Sequence, residues 1–487
     1  MTGRRMAALA LAWMLAACVV DPASGPAGLP QLVTRADELA VGREEHPRIL
    51  RQFGGAYDEP KLNDYVDQVG QNLARAAVLP EVGFSFTVLN NPVVNAFALP
   101  GGFVYVTRGL LVLAGNEAEL ASVLAHEIGH ITARHAAQRH KRAAERAVQP
   151  GAAKPPAPGK AAGSEMAERA EDAGSYVQGY SREQEIEADT LGIGYLTRAG
   201  YDPAAMPNFL TRLDAHARLQ AELMGVPQDQ ADRMSFTATH PRTADRVAAA
   251  ALLAGEVAGA ALGLGEERYL RQIDGILYGD DPDQGFVRGR EFLHPKLKFR
   301  FEVPAGFHLF NSTARVIARN AEESVFLFDQ VPSPPGLGIA DYLTLAWSRE
   351  LKLDDVESIF INGFAAATGW TRVDTNRGPR DLRLVAIQFG AETIYRFTFI
   401  TPPEQTQSLS VDLRRTTYSF QALSAEEAAA LKPLRLRIAP TQPGDTAASL
   451  AQPMPVAEGR EALFRVLNGL KPDEELTPGR LVKTVAE

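Results

Sequence analysis

The sequence predicts a multidomain α+β protein: a mostly helical first part with a small sheet, a β-rich α+β part, and a short C-terminal segment. Three observations carry this. At 487 residues the chain is too long for one compact core, so two or three domains are expected. Stretches that read as helix dominate before about residue 280. Beyond about 285 the period changes to two: Leu297, Phe299, Phe301 and Val303 alternate with Lys298, Arg300 and Glu302, and Tyr395, Phe397 and Phe399 repeat the pattern.

Hydrophobic content of 45% and charged content of 22% are ordinary for globular protein. A formal net charge of -9 provides no basic field for phosphates, so nucleic acid is not an expected partner. Arg4 and Arg5 precede an apolar run from Met6 to Leu15, the layout of a secretory signal and too short for a permanent membrane span. The run ends in Leu15-Ala16-Ala17-Cys18, and Cys18 is the single cysteine. It excludes an intramolecular disulfide framework and a cysteine-ligated zinc cluster. The segment resembles a bacterial lipoprotein signal, which implies removal of residues 1–17 and lipidation of Cys18. Val19-Val20 lacks the aspartate that holds such proteins at the inner membrane, so the implied location is the periplasm, lipid-anchored to the outer membrane.

A linker occupies 18–34. The first domain is expected over 35–280, helical to about residue 80, with a strand-like passage at Val82–Leu89. Gly101-Gly102 marks a turn into Phe103-Val104-Tyr105-Val106-Thr107, a β-branched and aromatic run read as a strand. Helices are expected at about 116–146 and 181–199, separated by a Pro-, Gly- and Ala-rich stretch, 148–164, read as a mobile loop. Ala248–Gly265 is apolar, but Glu256 interrupts it, and an internal helix is expected. In the 285–440 domain, Ser424 and Glu427 form a capping box ahead of a short helix.

The chemistry lies in His126-Glu127-Ile128-Gly129-His130. On a helix the two histidines stand about 40° apart around the axis, so both imidazoles face one side and can chelate a single zinc ion. Glu127 lies within reach of a water on that ion and is the candidate general base. The metzincin continuation requires Gly at 133 and His at 136, but both are alanine. A glutamate from a later helix remains, offered by Glu185-Ile186-Glu187-Ala188-Asp189. Glu185 can complete a three-ligand site, and Asp189, four residues on, can accept a hydrogen bond from a ligating imidazole. On one continuous helix His135 would lie about 180° from His126 and face away. His140 would return to the metal face but lies ten residues beyond His130, about 15 Å along the axis, and is not expected to ligate; His46, His216, His294 and His308 have no partner pattern and are read as structural.

These residues resemble the HtpX and CaaX-prenyl-protease type of zinc peptidase, in its soluble periplasmic BepA-like branch. The matching elements, in order, are Asn95-Ala96-Phe97-Ala98 through Pro100-Gly101-Gly102, then His126–His130, then Glu185–Asp189, then Thr239-His240-Pro241 with Arg246. The resemblance covers roughly residues 35 to 275. It implies a gluzincin-like zincin fold, one Zn2+ per chain and Glu185, not Glu187, as the third ligand. It implies two roles for His240: filling the fourth zinc position from a loop, or stabilising the oxyanion with Arg246. Phe103, Val104, Tyr105 and Val106 are expected to offer a free edge to an extended substrate. The last segment, 441–487, resembles a LysM-type βααβ module that binds peptidoglycan, although Pro453 and Pro455 fall where a helix is expected. Two function classes follow. One is an endopeptidase for misfolded or stalled envelope proteins, self-inhibited by His240. The other is a chaperone or scaffold working with the outer-membrane assembly machinery.

Overall fold

The computed structural model describes residues 34–148, 179–225, 240, 244–257, 263–312, 315–375, 378–456 and 458–487. The expected signal segment, Cys18, the linker up to residue 33, the loop beyond residue 148, and Thr239 and Pro241 lie outside them. Among the described residues no helix is long and apolar enough to cross a membrane.

The chain begins with α1 (Arg35–Gln52), closed at its start by a capping box between Thr34 and Asp37. Next comes α2 (Pro60–Ala77), with proline in its first turn where no N–H is needed. Leu62, Tyr65, Val66, Val69 and Leu73 of α2 recur at helical spacing and are buried. A small sheet follows: β1 (Ser85–Leu89), β2 (Ala96–Leu99) and β3 (Phe103–Thr107), in the order β1-β3-β2. The turn between β2 and β3 is made by Gly101 and Gly102, with φ of 85° and 99° that a side chain would strain.

The sheet order corrects one expectation. β3 pairs in parallel with β1 and antiparallel with β2, so Phe103–Val106 form the central strand and have no free edge. Hydrophobic, β-branched composition reports burial on both faces and does not distinguish an edge from a centre. The edge strands are β1 and β2.

The helical layer then runs through α3 (Arg108–Leu113), α4 (Glu117–Thr132), α5 (His135–Val148), α6 (Arg182–Arg198), α7 (Ala205–Met224), α8 (Ala244–Val257) and α9 (Glu266–Ile273), ending at β4 (Leu277–Tyr278). The expected single helix over 116–146 is two. It breaks at Arg134, whose φ of 57° ends α4 without a glycine or proline to announce it.

The β-rich unit comprises β5 (Phe286–Arg288), β6 (Glu291–His294), β7 (Phe299–Glu302), β8 (His308–Asn311), β9 (Val316–Arg319), β10 (Val325–Pro332), β11 (Asp354–Ile361), β12 (Phe364–Thr375), β13 (Gly378–Phe389) and β14 (Thr393–Thr401). It continues through α10 (Pro403–Ser419), β15 (Gln421–Ala422) and α11 (Ala425–Ala430). An antiparallel sheet of order β11-β12-β13-β14-β10-β9-β8 packs against a four-stranded one of order β15-β7-β6-β5. Between them lies an aromatic core that includes Phe299, Phe301, Phe326, Phe328, Tyr395 and Phe397. The alternation seen in sequence at β7 and β14 is the inward face of this core. The capping box at Ser424 and Glu427 starts α11.

The C-terminal region is β16 (Leu434–Pro440), α12 (Ala447–Ala451), α13 (Arg460–Asn468) and β17 (Leu481–Ala486). β16, expected to close the β-rich domain, pairs instead with β17 and with β4, in the order β17-β16-β4. A β-α-α-β order therefore starts at 434. Pro453 and Pro455 follow the end of α12, with Met454 between them buried in the core. Leu436, Phe464, Leu467, Val482 and Val485 share one hydrophobic core with α2, α4 and α7. The buried Lys483 donates from Nζ to the carbonyls of Val112 (2.7 Å), Leu113 (3.2 Å) and Ala114, at the C-terminal end of α3. The C-terminal segment is thus built into the back of the helical unit, and the β-rich unit is inserted ahead of it.

Candidate active site

α4 starts at Asn116, whose side chain accepts from the Glu119 N–H at 2.8 Å. Every residue from Glu117 to Ile131 is buried, so its charged groups need partners. Glu117 accepts from the hydroxyls of Tyr65 (2.6 Å) and Tyr201 (2.9 Å), and Glu119 pairs with Arg212 at 3.1 Å. The two site-bearing helices touch at small residues. A Cβ on Gly129 would stand 2.9 Å from the Ala188 carbonyl oxygen, and one on Gly192 would stand 3.2 Å from the His126 nitrogen. α6, opened by a Ser181–Gln184 capping box, therefore lies close enough for its first two turns to face the His126 and His130 imidazoles.

His126, His130, Glu185 and His240, all buried, bring one ligand atom each within 4.8 Å of one another. His126 Nε2 stands 2.9 Å from His130 Nε2 and 3.2 Å from His240 Nδ1. Glu185 lies 3.0 Å from His240 Nδ1, 3.5 Å from His130 Nε2 and 3.6 Å from His126 Nε2. A tetrahedral zinc with bonds of about 2.0–2.1 Å spaces its ligand atoms about 3.3 Å apart, so the donor set fits one Zn2+. Burial and the neighbouring imidazoles push His130 well below its usual range, which keeps it neutral as a ligand must be.

A surrounding layer orients the ligands. Asp189 accepts from His126 Nδ1 at 2.8 Å, which leaves Nε2 for the metal. Burial alone would raise its pKa, but hydrogen bonds from His126 and Arg246 hold it down at about 2. Arg246 donates Nε and Nη2 to the two Asp189 oxygens at 2.8 and 2.9 Å, and Nη1 lies 2.7 Å from Glu185. The oxyanion role read for Arg246 is therefore corrected: its guanidinium is taken up in holding the third ligand and the carboxylate behind His126. On the other side, His135 Nδ1 lies 2.7 Å from His130 Nδ1 and its Nε2 lies 3.2 Å from Glu187. Tyr180 stacks on His130 with ring centroids 3.9 Å apart. Sequence reasoning missed His135, Glu187 and Tyr180. The break at Arg134 swings His135 back toward the site, and only that backbone turn reveals it. His46, read as structural, meets the Tyr105 hydroxyl at 2.7 Å and serves packing.

Glu127 is fully buried, and neither of its carboxylate oxygens has a hydrogen-bond partner among the described residues. Burial pushes its pKa up, toward the range a proton-accepting base needs. His240 Nε2 is 3.4 Å from it. The His240 imidazole thus stands between the other three donors and the base, where an attacking water would sit.

Two histidines four residues apart, a glutamate from a following helix and a buried carboxylate beside them define a mononuclear zinc metallopeptidase site. Residues 60–253 match the model of peptidase family M48. It is 35% identical over 226 residues to the putative beta-barrel assembly-enhancing protease of Vibrio cholerae, covering 41% of this chain and 45% of that protein. Against the beta-barrel assembly-enhancing protease of Escherichia coli K12 the identity is 32% over 211 residues, covering 39% and 42%. With the mitochondrial metalloendopeptidase OMA1 of Schizosaccharomyces pombe it is 31% over 216 residues, covering 43% and 59%. The chain thus spans less than half the length of these bacterial relatives.

Proposed function

We propose that this protein is a zinc-dependent endopeptidase that hydrolyses misfolded or stalled proteins of the cell envelope and rests with His240 in its fourth metal position. The observation that carries this is Glu127: a buried carboxylate beside three converging ligands, with no hydrogen-bond partner among the described residues, stands where a general base is needed. When bound, zinc supplies a Lewis acid that polarises the scissile carbonyl and acidifies the attacking water. His126, His130 and Glu185 would hold it, with Asp189, Arg246 and His135 fixing their orientation. Glu127 takes the proton from the water and delivers it to the leaving amine. Substrate would add as an extended strand to the outer edge of β2, which packs against α4. Main-chain pairing of that kind is indifferent to side chains and suits unfolded segments.

His240 has to leave before water can enter, so the resting state is closed and opening it is the regulated step. The relatives named as assembly-enhancing proteases support an envelope setting and a link to outer-membrane assembly. A lipid anchor on Cys18 would tether the enzyme there, and the β-α-α-β order of residues 434–486 is compatible with a LysM-like role toward peptidoglycan. The scaffold reading draws on the same His240 position, since a permanently filled site would be silent.

Casein cleavage by wild type, Glu127→Gln and His240→Ala, with and without a chelator, separates these. The expected order is His240→Ala above wild type, with Glu127→Gln and chelated enzyme inactive. Activity surviving Glu127→Gln would remove the mechanism. No cleavage by either wild type or His240→Ala would favour the scaffold.

A further inference from the structure

The seven-stranded sheet of the β-rich unit has two faces. One carries Phe326, Phe328, Tyr395 and Phe397 into the aromatic core. The register puts the alternate residues on the other face: Thr398 of the middle strand lies between Leu327 and Leu384, and Ile400 lies opposite Leu382. A helical turn from Ile339 to Trp347 covers part of that face, with Leu343 buried against Ala367 and Leu384. Ala346 to Leu351 then form one wall of a cavity of about 410 Å³ over the aliphatic rows. That volume lies within the range of small-molecule sites, about 300–1,000 Å³.

The charge around it is unlike that of the whole chain. Arg315, Arg349, Arg380 and Arg396 line the cavity against Asp329 and Glu350, so four cations minus two anions leave +2 in a chain of net charge -9. Arg396 is held by Asp329 at 2.6 Å and lies over the Trp347 ring at 5.1 Å, which fixes it in the wall. Arg380 shares Glu323 at 2.8 Å, an exposed acid that competes weakly. Arg315 lines the same cavity.

We propose that this cavity binds a single-chain amphiphile with an anionic head group, carboxylate or phosphate. The acyl chain lies along Leu327, Leu382, Leu384 and Ile400 under the Trp347 edge, and the head sits on Arg315 with Arg380 beside it. Apolar rows alone would take any chain. The arginines exclude a cationic head and reward an anionic one with charge-assisted hydrogen bonds.

The test is calorimetric titration of the full chain, below micelle-forming concentration, with dodecanoate, dodecyl phosphate, dodecanol and dodecyltrimethylammonium, and with inorganic phosphate as the head alone. Both anionic amphiphiles should bind one per chain, at least about tenfold tighter than the alcohol and the cation. The dodecanoate and dodecyl phosphate arms distinguish a fatty acid from a phospholipid-type source. Arg315→Glu should weaken both by about tenfold or more, and Arg271→Glu, on α9 of the peptidase unit, should change neither. Leu327→Trp, which fills the cavity, should abolish binding with the thermal transition retained. Equal binding of all four amphiphiles, or inorganic phosphate binding as tightly as dodecyl phosphate, would overturn the proposal. If Arg315→Glu does not fold, the series on wild type decides alone.

Discussion

Replacing Lys483 with methionine tests whether the C-terminal segment braces the catalytic helix. The ammonium of Lys483, on β17, serves the last carbonyls of α3, and three residues beyond them α4 begins. Methionine keeps the length and apolar stem but leaves three buried acceptors without a donor, each worth about 1–3 kcal/mol. Relief of burying an ammonium offsets part of that, so a net loss of about 2–4 kcal/mol is expected. The effect also has a pH signature. Burial pushes the Lys483 pKa well below its ordinary 10.5. The unfolded chain therefore takes up this proton at higher pH than the folded one, and wild type loses stability as pH falls from 10.5 through the folded value. The advantage of wild type over Lys483→Met should accordingly grow as pH rises toward 10.5. Two probes separate the units in a chain beginning at Val19. Far-UV circular dichroism follows mostly the helices of the peptidase unit, and fluorescence follows Trp347 and Trp370, both in the β-rich unit. The circular dichroism transition should move to lower urea while the fluorescence transition stays. If neither moves, the lysine is no brace. If both move equally, the two cores do not unfold separately.

Asp189→Asn keeps the shape but loses the charge that orients His126 and pairs with Arg246, and zinc affinity should fall about 10–100-fold in a competitive chelator titration. Gly129→Val forces a side chain against the Ala188 carbonyl and should lower stability by about 1–3 kcal/mol, read as a fall in the thermal midpoint. Removing zinc should lower the peptidase unit's stability by about 2.7 kcal/mol relative to free zinc at 100 times its Kd, with the tryptophan transition unchanged. His135→Ala should reduce zinc affinity less than Asp189→Asn, because Tyr180 still stacks on His130. An equal or larger loss would make His135 the dominant orienting group.

Much of the site was legible because its chemistry is local or periodic. His126 and His130 share a helix face by spacing alone, and Glu185 and Asp189 do so one helix later. The alternation at β7 and β14 revealed a buried face, and Ser424 with Glu427 a helix start. What stayed hidden depends on partners distant in the chain. Phe103–Val106 look the same at an edge or a centre, and only the pairing of β1 and β2 to β3 decides which. Arg246 is a cation next to a zinc site in sequence. Its commitment to Asp189 and Glu185 is visible only when α8 packs on α6. His135 was misplaced because the left-handed residue at Arg134 carries no compositional signal.

The sequence by itself determined which donors can face one metal ion, since a helix spaces His126 from His130, and Glu185 from Asp189, by a constant rotation. The tertiary structure decided what surrounds them: His240 against the other three donors and Glu127, a lysine of the last strand at the end of α3, and an arginine-rimmed cavity on the inserted sheet. Those follow from long-range packing, where the position of each group is set by elements hundreds of residues away and no local period encodes it.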